Sequence, residues 1–211
     1  MDIYQVNRVS EDFCINGNGD SPYWMEAHVL SDFKSPWDQK EIAPIEFRVL
    51  HNSKHLFFYF RVKDTDVYID QKDDTKASIN NSDRVELFFR QDKNLRPYYC
   101  LEIDPSPRIM DFIAQPNRQF DFNWDWPKSD INVQSSFDSK GFTVEGAISM
   151  TSLKAFKLIN ENVIEAGIYR AKYHKQSDGR YEPAWITWID PNTKTPDFHI
   201  ASSFGILHLE D

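Results

Sequence analysis

The chain has 211 residues and a net charge of -9 at neutral pH, from 24 Lys and Arg against 33 Asp and Glu. Its 40% hydrophobic and 15% aromatic residues are enough to build a core and exclude a disordered chain. The acidic balance argues against nucleic acid as a partner, and no apolar run approaches the ~20 residues that span a bilayer. We expect one globular domain over residues 1–211, without nucleic-acid or membrane partners.

Short runs of alternating apolar and polar residues, separated by turn residues, recur along the chain. The predicted strands are 45–51, 55–63, 83–90, 98–104, 109–114, 132–138, 142–148, 168–174, 185–189 and 205–209. Turn residues predict three hairpins, 45–51/55–63, 98–104/109–114 and 132–138/142–148. This pattern is typical of an all-β protein. We therefore expect a β-sandwich of two antiparallel sheets, immunoglobulin-like or jelly-roll-like, with only short helical turns.

Helical and cysteine signals are few. Asp20 is a candidate N-cap for a turn that begins at Pro22, and Thr151 for a helix over 152–157. Two cysteines, Cys14 and Cys100, are too few for a disulfide scaffold. The sequence leaves open one bridge between them or two packed thiols.

The first residues, MDIYQVNRVSEDF, lack the basic start and the apolar stretch of a secretory signal. We expect a cytoplasmic protein if the chain is complete, and a periplasmic or secreted one if it is a mature form. A monomer is expected.

Alternation predicts that three strands each carry a charged face. Arg84 and Glu86 alternate with apolar residues in 83–90, as Glu102 does in 98–104 and Arg170 in 168–174. If these strands are neighbours, their charged side chains form one floor that a polar ligand can contact. The predicted floor residues are Arg84, Glu86, Glu102, Asp104, Arg170 and Lys172. The alternative is an ordinary solvated sheet face crossed by weak ion pairs.

Four segments carry a resemblance to a known family. They are INGNGDSPYW (15–24), IEFRVLHNSKHLFFYFRVKD (45–64), SDRVELFF (82–89) and WITWIDPNTKTPDFHIASSFGIL (185–207). In this order they resemble a family 9 carbohydrate-binding module of the DOMON-like superfamily, with Asn16 where the opening motif usually has Asp.

The resemblance implies a β-sandwich that binds saccharide non-catalytically on the concave face of one sheet. It also implies a role in polysaccharide catabolism, association with glycoside hydrolases and, often, a structural calcium. Some relatives with the same sandwich bind haem, so a haem protein is an alternative.

The resemblance also implies roles for individual residues. Glu86 falls on a family glutamate that contacts sugar hydroxyls, whereas Glu102 lies near a family arginine and reverses its charge. The two tryptophans that clamp the sugar in the family are not reproduced. Asn80 occupies the first position, and the loop of the second offers Phe198 and His199.

Sugar rings stack on aromatic side chains, and their hydroxyls need polar or charged hydrogen-bond partners. Trp124 and Trp126 are candidates for stacking, together with Phe198; the alternative is that both tryptophans close one end of the core. Asn192 lies near a family asparagine contact and is expected at the rim with His199. The predicted saccharide-binding residues are Glu86, Glu102, Arg170, Arg84, Trp124, Trp126, Phe198, His199 and Asn192.

A second hypothesis is a glycoside hydrolase, because glycosidases use paired carboxyl groups and Glu86 and Glu102 share a predicted face. No other catalytic motif is recognisable, so we assign no catalytic residues and favour a binding protein.

Two cofactors are considered. Asn18 and Asp20 are candidate ligands of a structural calcium in the N-terminal turn, and no other cofactor is expected. The haem alternative requires axial ligands such as Met110, Met150 or His174.

Overall fold

The computed structural model of the chain describes residues 2–38 and 41–211. Within these residues it contains 13 strands. They are β1 (Ile3–Arg8), β2 (Ile45–His51), β3 (His55–Lys63), β4 (Arg84–Arg90), β5 (Tyr98–Ile103), β6 (Ile109–Gln115), β7 (Gln119–Asp121), β8 (Ile131–Asp138), β9 (Gly141–Ser149), β10 (Ile159–Asn160), β11 (Val163–Lys175), β12 (Tyr181–Thr187) and β13 (Gly205–Leu209). Two short helices, α1 (Lys76–Asn80) and α2 (Met150–Ala155), and two 3-10 turns (Pro22–Glu26 and Ala201–Ser203) complete the regular structure of these residues.

The strands curl into two facing layers. The first sheet has the order β7-β6-β5-β4-β11-β13, with β10 and β12 also paired to β11, and the second has the order β2-β3-β9-β8. Strand β1 joins them, because its residues 3–6 pair with β13 and its residues 7–8 pair with β2. Both pairings of β1 are parallel, whereas the other pairings described are antiparallel. The all-β prediction is confirmed, with β1 as the exception to antiparallel order.

The core lies between the two sheets. Alternate residues of β4, such as Val85 and Leu87, meet Phe58 and Phe60 of β3 in one cluster of buried apolar side chains. Burial of side chains of this size contributes about 1.5–3 kcal/mol each and is the main stabilising term. The charged residues of β4 therefore point to the opposite, outer face of the first sheet.

Both outer faces are also covered in part. Phe198 and Phe204, from the segment before β13, pack on Phe88 and Tyr169 of the first sheet. The segment that follows β1 packs Trp24 and its neighbours on the second sheet. This double coverage explains why β3 reads as a nearly continuous apolar run instead of alternating strictly.

The three predicted hairpins are confirmed by the pairings β2–β3, β5–β6 and β8–β9. Strands β1, β7 and β10 and helix α1 are additions to the prediction. The turn at Pro22–Glu26 is present, but its N-cap residue is Ser21 instead of Asp20. The second predicted helix begins at Met150, because the Ser149 side chain, and not that of Thr151, accepts the Ser152 N–H at its N-terminus.

The cysteines are both free: Cys14 is exposed and Cys100 is buried on the outer face of the first sheet. Among the described residues, the helices are all too short or too polar to cross a membrane.

Candidate functional site

A cavity of about 190 Å3 opens on the outer face of the first sheet. Its lining residues come from α1, from strands β4, β5, β6, β7 and β12, and from the loop before β13. They are Asn80, Arg84, Glu86, Glu102, Met110, Phe112, Arg118, Phe120, Phe122, Trp185, Pro196, Asp197, Phe198 and His199.

Strand register brings the floor of this cavity together. Glu86 of β4 pairs with Glu102 of β5, Glu102 pairs with Met110 of β6, and Glu86 pairs on its other side with Tyr169 of β11. Residues that pair directly across neighbouring strands point to the same face. The two glutamates are therefore adjacent on one face, as the sequence predicts.

Arg84 contacts both glutamates. Its Nε lies 2.6 Å from Oε2 of Glu102 and 3.0 Å from Oε1 of Glu86. All three residues are buried, and the Arg84 guanidinium also lies over the Trp185 ring, 5.6 Å from its centroid. Buried charges are tolerated when they are paired in this way.

One carboxylate oxygen of this cluster has no hydrogen bond. Arg84 Nε carries a single hydrogen, which it donates to Glu102. Oε1 of Glu86 is close to the same nitrogen but receives no hydrogen bond, although Glu86 is only 2% exposed. An unsatisfied buried acceptor costs about 1–3 kcal/mol, so a donor arriving from a ligand stabilises it.

Burial raises the pKa of Glu86 to about 8, with a further contribution from the charge of Glu102 and an opposing one from Arg84. Burial also raises the pKa of Glu102, against the effect of Arg84. At neutral pH the Glu86 carboxyl therefore retains its proton.

These shifts predict a stability that falls as the pH rises. The ordinary pKa of a glutamate is 4.5, and that of Glu86 in the folded chain is about 8. Between these two pH values the folded chain holds a proton on Glu86 that the unfolded chain has lost. The free energy of unfolding is therefore highest below pH 4.5 and decreases as the pH rises to about 8. We expect Glu86→Gln to reduce this loss, on the order of 5 °C in Tm at high pH. Thermal unfolding between pH 4.5 and 9 measures the effect. Glu46→Gln, which removes a half-exposed carboxylate paired with Arg48 on β2, is the matched control; an equal change in both variants would contradict the prediction.

Aromatic side chains form the walls of the cavity. Phe112, Phe120 and Phe122 pack together with ring centroids 4.8–5.7 Å apart, and Phe122 is 47% exposed. On the other side Phe198 stacks on Tyr169, with centroids 4.1 Å apart, and packs edge-on against Trp185. The cavity thus offers flat apolar surfaces around a charged floor.

The rim carries one ion pair and one histidine. Arg118 Nη1 lies 3.0 Å from Oδ1 of Asp197. His199 Nδ1 is 3.0 Å from the Tyr98 hydroxyl, and the ring packs on Phe120. Burial, aided by Arg118 and Arg84, lowers the pKa of His199 to about 3, so this ring is neutral at physiological pH.

A family comparison decides the identity of the domain. The model of the family described as "Carbohydrate family 9 binding domain-like" matches residues 15–211. The chain belongs to this family.

Solved structures of family 9 domains and related proteins share the fold. A candidate carbohydrate-binding protein from Bacteroides uniformis superposes with a TM-score of 0.74 at 15% identity over 99% of both chains. A family 9 carbohydrate-binding module from Caldicellulosiruptor kristjanssonii, in complex with glucose, gives 0.64 at 15% identity, covering 99% of this chain and 96% of that one. The complex of such a module with cellotriose gives 0.60 at 15% identity, covering 99% and 94%. No curated protein matches by sequence.

This family 9 domain collects part of the predicted site around the cavity. Arg84, Glu86 and Glu102 form its floor, and Phe198 and His199 line it. Asn80, at the position where the resemblance places a clamping tryptophan, also lines the cavity.

Arg170 does not join this site, and the predicted common floor is wrong for β11. It is Tyr169 that pairs with Glu86, so Arg170 and Lys172 point to the opposite face of the sheet. There Arg170 binds Asp64, and both residues line a separate cavity of about 260 Å3. Asp104 is also elsewhere: its carboxylate is bound by Arg108.

Trp124 and Trp126 do not line the cavity either. Trp126 is 1% exposed in the core between the sheets, and its Nε1 donates to the Ser152 hydroxyl. Trp124 packs against Trp126 and Tyr99 beside this core. The core interpretation left open by the sequence applies to both tryptophans.

Asn192 is exposed in the loop after β12, where its N–H is bound by the Asp190 side chain, and it does not line the cavity. Its φ of 58° is the left-handed conformation that asparagine tolerates better than most residues. Asn192 therefore belongs to a turn and not to the rim of the cavity.

Hydrogen bonds within the N-terminal turn engage the side chain of Asp20, one of the predicted calcium ligands. The Asn16 side chain donates to Asp20 and accepts the N–H of Asn18, so the turn is closed by its own hydrogen bonds. In the ranges described, no group of three or more His, Cys, Asp or Glu is placed to hold a metal. Calcium at Asn18 and Asp20 stays a prediction that no contact supports.

The candidate haem ligands do not meet. Met110 lines the cavity on the outer face, Met150 lies in the core between the sheets, and His174 lines the second cavity. These three residues therefore cannot ligate one haem together.

The sequence prediction missed several wall residues. Phe120 is placed by β7, whose pairing with Ala114 of β6 puts it on the same face as Phe112. Phe122 precedes the two tryptophans in the same aromatic segment, and Trp185 pairs with Ala171, the partner of Arg84. The aromatic segment was a valid signal, but its first two aromatic residues, and not its tryptophans, face the cavity.

Proposed function

We propose that this domain binds oligo- or polysaccharide without catalysis, through the cavity on the outer face of the first sheet. The observation that carries the proposal is the free oxygen of Glu86 at the bottom of an aromatic-walled cavity. We further propose that this binding serves polysaccharide catabolism, next to enzymes that act on the same polymer.

The cavity matches the chemistry of a sugar. Sugar hydroxyl groups both donate and accept hydrogen bonds, so they can pair with the Glu86 carboxyl group, one oxygen of which has no partner. The C–H face of a pyranose packs on flat rings such as those of Phe122 and Trp185. The floor and walls described above offer both kinds of contact within one cavity.

The two relatives from Caldicellulosiruptor kristjanssonii are complexes with glucose and with cellotriose. At 15% identity they do not transfer a ligand to this chain, but they make these two saccharides the first probes.

Hydrolysis of glycosidic bonds is the second candidate, favoured by the adjacent carboxyl groups and the raised pKa of Glu86. A glycosidase needs its two carboxyl groups on either side of the scissile bond, roughly 5–9.5 Å apart. Here one nitrogen of Arg84 lies within 3.0 Å of an oxygen of each carboxylate, and all three groups lie in the same floor. Both carboxyl groups thus lie on the same side of a sugar in the cavity, and not on either side of a scissile bond, which favours binding.

Phe122→Ala tests the binding site. Loss of an exposed stacking ring should weaken cellotriose binding by roughly 1 kcal/mol, about fivefold in Kd, with little effect on Tm. Titration calorimetry or NMR chemical-shift titration measures the affinity. Phe137→Ala is the matched control, because Phe137 is 58% exposed on β8 of the second sheet.

An equal loss of affinity in the two phenylalanine variants would contradict the proposed site. Wild-type protein that binds neither glucose nor cellotriose, nor any saccharide on a glycan array, would contradict the function itself. New reducing ends released from oligosaccharides would favour the hydrolase.

A further inference from the structure

Among the described lining residues, both arginines of the cavity pair with carboxylates. The floor cation, Arg84, donates from Nε to Glu102 and from Nη1 to the backbone carbonyl of Asn80 at 2.7 Å. Its guanidinium is covered by Trp185 and is 2% exposed. A ligand that enters the cavity therefore finds the Arg84 guanidinium already engaged by protein groups.

The second cation of the lining is Arg118, whose side chain is 54% exposed and pairs with one carboxylate. Its Nη1 is held by Asp197 at 3.0 Å, and its guanidinium carbon lies 5.8 Å from the centroid of the Phe120 ring. Asp197 is fixed in turn, because the same Oδ1 accepts the backbone N–H of His199 at 2.9 Å. Asp197 is therefore held in place within the loop before β13, which also supplies Phe198 to the cavity wall.

The charged groups of the lining leave an acidic or neutral cavity. Two cations, Arg84 and Arg118, face three carboxyl groups, those of Glu86, Glu102 and Asp197. His199 adds no positive charge, since its ring is neutral at physiological pH. At physiological pH the summed charge of these lining residues is therefore not positive.

We infer that the cavity selects uncharged sugar residues and rejects uronic acids, with Glu102 and Asp197 as the residues that withhold Arg84 and Arg118 from a carboxylate. This inference rests on the proposed function and specifies its ligand class. A uronate carboxylate brings a negative charge to a lining in which Glu102 and Asp197 already pair with the two arginines. Juxtaposed like charges without a donor between them weaken binding strongly.

Glucose and glucuronate form a matched pair of probes, because they differ only in a CH2OH group against a carboxylate at C6. We expect the wild-type protein to bind glucose at least about tenfold more tightly than glucuronate at pH 7 and low ionic strength, which corresponds to about 1.4 kcal/mol.

Asp197→Asn tests the role of the rim acid. The asparagine oxygen can still accept the His199 N–H, but Arg118 is no longer neutralised and becomes available to a carboxylate. We expect the ratio of the glucuronate Kd to the glucose Kd to fall by at least about threefold. Glu46→Gln removes one carboxylate from an Arg–Glu pair of the second sheet and should leave this ratio unchanged.

Three outcomes separate this inference from the proposed function. If glucuronate binds as well as glucose, the inference is wrong while saccharide binding stands. If Asp197→Asn changes the ratio no more than Glu46→Gln does, Asp197 is not a specificity residue. If glucose, glucuronate and cellotriose all fail to bind, the proposed function and the inference are both overturned.

Discussion

Arg84→Met should lower the free energy of unfolding by about 3–5 kcal/mol, the range seen when one partner of a buried ion pair is removed. Arg84 is the single guanidinium that contacts both Glu86 and Glu102, and all three side chains are buried. Without it, two carboxyl groups share a space of low dielectric with no cation between them. Urea unfolding monitored by circular dichroism measures the loss, and a Tm lower by roughly 10 °C accompanies it.

The loss should depend on pH in a defined direction. Removal of Arg84 takes away the attraction that lowers the pKa of both glutamates, so their pKa values rise further. Protonation then relieves the repulsion, and we expect the destabilisation to be larger at pH 8 than at pH 5. Adding Glu102→Gln to Arg84→Met removes one of the two acids and should restore part of the stability at pH 8.

Arg180→Met is the control for loss of an arginine that is paired but exposed. Arg180 binds Asp178 in the turn between β11 and β12, and a surface pair of this kind contributes about 0–1 kcal/mol. If Arg84→Met were no less stable than Arg180→Met, or if its loss of stability did not depend on pH, the cluster would not be a coupled charge network.

The alternation of β4 and β5 was sufficient to place Arg84, Glu86 and Glu102 on one face. The same rule correctly separated Tyr169 from Arg170 and Lys172 on β11, but it could not say which of these side chains face outward. Charged residues were expected to face outward with Glu86. The register pairs Tyr169 with Glu86, so the polar set of β11 turns inward. That choice depends on pairing between segments about 80 residues apart, which periodicity within a strand does not contain.

The aromatic segment after β7 shows a second limit of sequence analysis. Alternation predicts facing only where the backbone is extended, and the strand ends at Asp121. Beyond it the chain turns, so Trp126 enters the core while Phe122 remains at the cavity. The preference for tryptophan as a stacking residue therefore selected the wrong members of the segment.

The Arg170 side chain points inward and is stabilised there by carboxylates from other elements. Arg170 binds Asp64, at the end of β3, and lies over the Phe142 ring with its guanidinium carbon 5.8 Å from the centroid. Lys172 adds contacts of 3.0 Å to both Asp64 and Asp83. Burial raises the pKa of Asp64, but Arg170 and Lys172 outweigh it and hold that pKa below its ordinary value. One strand thus carries charges in the interior whose partners lie far away in sequence.

Arg170→Met should therefore reduce stability and not saccharide binding. We expect a loss of about 3 kcal/mol, at the lower end of the range for a broken buried pair, because Lys172 still neutralises Asp64. The Tm should fall by roughly 6–12 °C, while the Kd of the folded protein for cellotriose stays within about twofold of wild type. Adding Asp64→Asn removes the carboxylate that has lost one of its two cations and should recover part of the stability.

Arg84→Met and Arg170→Met are expected to differ in their effect on cellotriose binding. The Kd of both variants can be compared at a temperature where both are folded. Arg84→Met disturbs the cavity floor and should weaken cellotriose binding as well as the fold. Arg170→Met alters the opposite face of the same sheet and should affect only the fold. If Arg170→Met abolished binding while unfolding was unchanged, Arg170 would be a ligand contact as the sequence suggested. The placement of the site on the Glu86 face would then be wrong.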